Sequence, residues 1–175
     1  MIRLVDPDPQ RHADWLAAYD DFDDGAVRHG FGVYLEDPAQ LRDPAHFAEV
    51  VRRQLAGAYG RELPEGYVPA TCFWITDDSD IVLGALQLRH TVATPFLLNE
   101  GGHIGYGVRR SARGRGVATA ALREAVRRAH GLGIDRVLLT CDLDNLASAR
   151  TIERCGGVLE DERAGKRRYW IRTSP

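Results

Sequence analysis

Apolar side chains recur every three or four positions from Val117 to Ala129. Val117, Ala118, Ala121, Leu122, Ala125, Val126 and Ala129 line up on one face, and Arg123, Glu124, Arg127 and Arg128 fall mostly off it. This period predicts an amphipathic helix, ended by Gly131 and Gly133. Trp15, Leu16 and Tyr19 predict another. Asp43-Pro44 reads as a helix start, with aspartate as cap and proline at the first helical position. Phe47, Val50, Val51 and Leu55 form its stripe, and Gly57 and Gly60 end it. A last helix runs from Asn145 to Cys155, starting near Asp144 and stopping at Gly156-Gly157.

The strands have the shorter period or none. Ile2 to Val5 is one. Cys72 to Thr76 and Ile81 to Arg89 flank the polar turn Asp77-Asp78-Ser79-Asp80 and read as a hairpin. Gly102 to Arg109 is a further strand. Arg136 to Cys141 is an apolar strand, rich in leucine, and predicts burial on both faces. Val158–Glu160 and Tyr169–Ile171 close a final hairpin around Ala164-Gly165. Gly25 to Tyr34 is ambiguous. Leu63 to Pro69, with two prolines and a glycine, suits a shaped substrate rim, and Thr91 to Glu100 is an irregular segment expected to reach over a site. Neither repeat nor linker interrupts the pattern, so residues 1–175 are expected to form one α/β domain.

The chemistry concentrates between the Gly102–Arg109 strand and the long helix. Ser111-Ala112-Arg113-Gly114-Arg115-Gly116 places two glycines among arginines, just before a helix start. Glycine allows a tight turn close to a ligand. Free N–H groups and the helix dipole then face an anion, and arginine adds charge. These features point to a pyrophosphate site. The full G-x-G-x-x-G pattern of a dinucleotide fold is missing, since Thr119 stands at its last glycine, and no Gly-Lys-Ser/Thr marks a P-loop.

Composition narrows the partners. Twenty-three basic against twenty-five acidic residues give a formal charge of −2, so no overall basic field invites nucleic acid. The acidic run Asp20, Asp21, Asp23, Asp24 reads as a solvated helix end or loop rather than a metal site. Cys72, Cys141 and Cys155 lack CxxC spacing and read as buried, inert thiols. No signal-peptide layout or membrane-length apolar run is present, which fits a cytoplasmic enzyme with no membrane partner.

The order strand, glycine cradle, helix, buried strand, then asparagine at a further helix start resembles the GNAT superfamily of N-acetyltransferases, over about residues 72–171. A narrower likeness, to a bacterial branch of predicted acetyltransferases, covers most of the chain. It rests on Gly101–Arg109, Thr140–Arg150 and Gly156–Glu160, with Leu88-Arg89-His90 and Arg168-Tyr169-Trp170-Ile171. The resemblance implies a GNAT fold: a mixed, mostly antiparallel sheet that splays between the Gly102–Arg109 and Arg136–Cys141 strands, flanked by helices. It implies acetyl-CoA as cosubstrate, no metal, and direct transfer of the acetyl group to an amine in a ternary complex. Gly114 and Gly116, with the N–H groups of Arg113, Arg115, Val117 and Ala118, are then expected to hold the pyrophosphate. Ser111 departs from the family's Gln or Arg. Backbone groups at Val108 and Arg110 would pair with the pantetheine arm, and Asn145 and Ser148 would bind that arm or nearby water, unless Asn145 only caps its helix.

The family's tyrosine acid, seven residues beyond that asparagine, is replaced by Ile152. Tyr106 is the substitute candidate, with core packing as its alternative. Glu100 and His103 are the candidate bases, against a solvated carboxylate and a structural histidine. His103, Gly105 and Gly107 share a strand face on which the glycines would leave room for a ligand. Arg89-His90 would bind an acidic acceptor or pair with the early aspartates. The acceptor is a small-molecule or peptide amine of open identity, and the final hairpin offers an edge for a homodimer. The competing function is a catalytically silent CoA-binding or protein-interaction domain of the same fold.

Overall fold

The computed structural model describes residues 1–174. Seven strands and four helices run in the order β1 (Arg3–Val5), α1 (His12–Asp20), α2 (Pro44–Gly57), β2 (Ala70–Thr76), β3 (Val82–Arg89), β4 (Ile104–Val108), α3 (Val117–Gly131), β5 (Arg136–Asp142), α4 (Leu146–Arg154), β6 (Val158–Arg163) and β7 (Lys166–Arg172). Two sheets form, β1-β2-β3-β4 and β5-β7-β6, and every ladder in them is antiparallel.

Strand alternation sorts side chains to opposite faces. On β2 and β3, Phe73, Ile75, Leu86 and Leu88 face a core shared with Ala121, Leu122 and Ala125 of α3 and with Val137 and Leu139 of β5. Trp74, Val82 and Ala85 face a second core built by Trp15, Phe31, Leu41, Phe47 and Val50. The first sheet is therefore covered on both sides. Trp15, Phe73 and Trp74 are all buried in these cores. Asp43 caps α2 by accepting from the His46 N–H at 2.9 Å, with proline in the first turn. Val137, Leu138 and Leu139 of β5 are all fully buried, consistent with a strand covered on both faces.

The two sheets meet at one residue pair and then part. His103 donates its N–H to the Leu138 carbonyl at 2.7 Å, and its Nδ1 accepts from the Leu138 N–H at 2.9 Å. Gly102, at φ +63°, sits so close that a Cβ would stand 2.6 Å from Leu138 O. Beyond this clamp β4 belongs to the first sheet and β5 to the second, with no ladder between them among the described residues.

Thr91–Glu100 is not wholly irregular, because a wide helical turn occupies Leu97–Gly101 and closes with Gly102 N–H to Leu97 O at 2.7 Å. Arg168 of β7 holds that turn by donating Nε to Leu98 O at 3.1 Å. Among the described residues no helix is long and apolar enough to cross a membrane.

Candidate functional site

The loop before α3 has the geometry its glycines suggest. Gly114 and Gly116 adopt φ of +75° and +77°, and Gly116 is the residue at which α3 begins. Both face open space. No side chain caps α3 and no acid sits in its first turn. Among the described residues, the N–H groups of Gly114, Arg115 and Gly116 also find no backbone partner. An uncapped, glycine-opened helix start is a ready anion site.

The arginines around it are arranged differently from the expectation. Arg113 donates to Asp23 at 2.7 Å and to Val108 O at 3.1 Å, and its guanidinium lies over Phe22. Arg109 donates to Asp21 at 3.2 Å and to Ser111 Oγ at 2.9 Å. Arg110 lies 3.8 Å from the Asp21 carboxylate. Asp21 also accepts from the Ser111 N–H and hydroxyl, and these bonds with Arg109 hold its carboxyl below the usual range. The acidic run thus does more than meet solvent: Asp21 and Asp23 brace the loop. Arg115 alone of the four has no ion-pair partner among the described residues.

β4 is the edge strand beside the gap. Arg89 N–H donates to His103 O and Arg109 N–H to Leu83 O. Bonds alternate along an antiparallel pair, so the polar backbone groups of His103, Gly105, Gly107 and Arg109 face β3. Those of Ile104, Tyr106 and Val108 face the gap. Val108 thus turns its N–H to the gap, with no partner among the described residues, while its carbonyl accepts from Arg113. The backbone of Arg110 is bonded within the protein: its N–H donates to Asp21 O at 2.7 Å and its carbonyl accepts from Arg113 N–H at 3.2 Å.

A cavity of about 640 Å³ opens between the splayed strands. Glu100, Tyr106, Asn145 and Ser148 line it together, with Arg89 and Cys141. Gly66 and Tyr67 of the expected rim and Thr94–Leu97 of the overreaching segment also contribute. Tyr106 and Ser148 meet directly, Oη to Oγ at 2.8 Å, and burial pushes the Tyr106 phenol up to about 12. Asn145 caps α4 by accepting from the Ser148 N–H at 3.0 Å, and it also lines the cavity. Ile152 is fully buried in the core.

His103 is not brought to the cavity. Its ring is buried, its Nδ1 lone pair is taken by Leu138, and burial pulls its pKa down to about 4. It is a strand clamp. The room expected at Gly107 is filled by the chain itself, since a Cβ there would stand 2.5 Å from His29 O. The cysteines are buried or half-buried, and burial raises all three thiols, Cys72 to about 11.

Sequence reasoning missed His29, Tyr34, Gln87 and the ion-paired Asp142 and Lys166, all of which line the cavity. His29 lies in the segment without a period, and its only signal is a histidine just before Gly30. Burial, with Lys166 nearby, lowers its pKa.

Comparison with curated proteins gives no match. Among solved structures, the microcin C7 self-immunity acetyltransferase MccE, in complex with acetyl-CoA and AMP, superposes with a TM-score of 0.66. Identity is 17%, over 98% of this chain and 92% of that one. A putative ribosomal-protein-serine acetyltransferase from Vibrio cholerae gives 0.67 at 13% identity, over 98% and 93%. Mutant forms of the spermidine/spermine N-acetyltransferase SpeG from Vibrio cholerae give 0.63 at 12%, over 99% and 95%. At these identities the likeness concerns the fold. The acetyltransferase (GNAT) domain model matches residues 11–158, and the chain therefore belongs to the GNAT acetyltransferases.

Proposed function

We propose that the protein transfers the acetyl group of acetyl-CoA to an amine by direct attack in a ternary complex. The observation that carries this reading is two sets of unpaired backbone donors facing the same side. One is Tyr106 and Val108 on the gap edge of β4, the other is the open, uncapped start of α3, and the N–H groups of residues 109–113 between them are bonded within the protein. This arrangement suits an extended arm held at β4 and ending in a pyrophosphate at α3. Gly114, Gly116 and the first N–H groups of α3 would hold the pyrophosphate, with Arg115 free to add charge. The β4 edge would hold the pantetheine arm, and a β4 N–H would face the developing oxyanion.

Acetyl-CoA supplies an activated acyl group: a C–N bond forms, the C–S bond breaks, the acceptor ammonium gives up two protons and CoA keeps one as its thiol. Glu100, without ion pair or side-chain hydrogen bond among the described residues, takes the first proton from the ammonium. Tyr106, kept protonated by burial and oriented by Ser148, donates a hydrogen bond to the departing sulfur. It fills from β4 the role that Ile152 leaves empty on α4. A silent domain of the same fold has no need of a hydroxyl pair in the cavity, and this pair favours the enzyme.

The test is calorimetric titration with acetyl-CoA of the wild type and of Gly114→Glu, which puts a carboxylate into the cradle. Binding abolished by the variant supports the site. No binding by the wild type sinks the reading. Binding with no turnover on a broad amine panel supports the silent domain.

A further inference from the structure

The cavity is lined by two opposite charges that have no counter-ion among the described residues. Arg89 ends β3 and lines the cavity half-buried. One of its terminal nitrogens donates to Gly101 O at 3.0 Å and lies 3.3 Å from Gly102 O. These bonds fix the guanidinium next to Gly105, whose missing side chain leaves the two terminal nitrogens 3.8 and 3.9 Å from where a Cβ would be. Among the described residues no carboxylate pairs with Arg89, and the Tyr34 hydroxyl, on the same cavity, is its only side-chain hydrogen-bond partner. Glu100 adjoins the very carbonyl that Arg89 binds, lines the same cavity, and is also unpaired. The other charges there are accounted for: Lys166 pairs with Asp142, and burial disfavours the charged form of His29.

A guanidinium removed from water without a counter-ion carries a desolvation cost that a ligand anion would offset. The edge of Arg89 that binds neither carbonyl, Nε with one terminal nitrogen, has the fork that a carboxylate fills with two parallel hydrogen bonds, with the Tyr34 hydroxyl beside it. A polyamine would meet repulsion at Arg89, and a simple alkylamine would leave it unpaired. We infer that the acceptor is a small zwitterion, an amine that also carries a carboxylate, with the carboxylate on Arg89 and the ammonium toward Glu100. The inference rests on the acetyltransferase reading and gives the acceptor class of that site. A cavity of about 640 Å³ has room for an amino acid beside the end of the donor's arm.

The experiment follows thiol release from acetyl-CoA by the full chain. Three sets of acceptors are compared: α-amino acids and amino acids with a more distant amine, the same compounds as carboxamides, and spermidine. Amino acids are expected to be acetylated, and their amides to show a KM at least about tenfold higher. Arg89→Gln is expected to abolish the KM difference between the acids and their amides, by raising KM for the acids by a similar factor. Arg89→Lys, which keeps charge but loses the fork, should fall between. Thermal melts of both variants check that the Gly101 and Gly102 contacts are not needed for folding, and Arg89→Lys carries the test if Arg89→Gln does not fold. Preference for spermidine or amides, or no acid acetylated while acetyl-CoA binds, overturns the zwitterion and spares the acetyltransferase. Failure to bind acetyl-CoA overturns both.

Discussion

Tyr106 and Ser148 are forty-two residues apart in the chain, yet their hydroxyls stand 2.8 Å apart across the gap. If the phenol supports the departing sulfur, Tyr106→Phe should lower kcat by about 10²-fold and leave KM for acetyl-CoA nearly unchanged. Because burial holds that phenol at about 12, it is protonated across the ordinary assay range. The loss should therefore be uniform from pH 6 to 9, without a change in profile shape. An unchanged kcat would return Tyr106 to plain packing. His103 makes the opposite case, a titratable group placed for structure. Its folded pKa of about 4 lies below the ordinary 6.5, so the unfolded chain binds its proton first as pH falls. Stability from this residue is full above about pH 6.5 and declines toward pH 4. The contribution lost between pH 7.5 and 5 is about 2 kcal/mol, at 1.36 kcal/mol per pKa unit. His103→Asn keeps an acceptor for the Leu138 N–H and does not titrate, so its denaturant midpoint should fall less over that interval. His103→Leu leaves that N–H unpaired and should cost about 1–3 kcal/mol at pH 7.5, a difference from wild type that narrows as the pH falls. Equal pH slopes for wild type and His103→Asn would contradict this account.

At the level of elements, the loop before α3 separates what local sequence encodes from what only folding reveals. Gly116→Ala introduces no clash, since nothing lies within 4 Å, but it forces φ of +77° on an L side chain. A cost of about 1–2 kcal/mol for that conformation should turn the loop away from its anion-binding form. Acetyl-CoA should bind roughly tenfold more weakly by calorimetry, while the far-UV spectrum is retained. Unaltered affinity would remove the cradle from the site. The glycine pair, the helix behind it and the strand before it were all legible, because periodicity and capping act over a few residues. The state of the arginines was not. Arg109 and Arg113 are taken by Asp21 and Asp23, about ninety positions away, and no spacing rule reaches that far. The same limit hid His29 and the Asp142–Lys166 pair, which meet the cavity from three unrelated segments. The wide turn Leu97–Gly101 escaped because its support comes from elsewhere, through Arg168 of β7. Ile152 carries no hydroxyl, which the sequence alone shows. Which group would stand in for one depends on the gap between the sheets, which sequence implies only through resemblance.

Across the whole molecule, the proposed donor site belongs to neither sheet alone. β4 is held to β5 by His103 and Leu138 at one end, and the strands then diverge around a cavity walled by both. The first sheet is packed on two faces, while the second depends on β7 lying between β5 and β6. A ligand seated along the free edge of β4 and over the start of α3 should therefore act on amides that the free protein leaves open. Hydrogen exchange is expected to show Tyr106, Val108 and residues 114–118 slowed by acetyl-CoA. The amides of the β2–β3 ladder, already paired and buried, should change little at low global opening. The same binding should raise thermal stability, by about 2.7 kcal/mol at a hundredfold excess over Kd, or roughly 5–10 °C for a chain of this size. Gly114→Glu should lose both responses together. Protection confined to the cavity walls, with residues 114–118 exchanging as before, would mean that the ligand enters without using the cradle. The arrangement of glycines at the head of α3 would then require another anion.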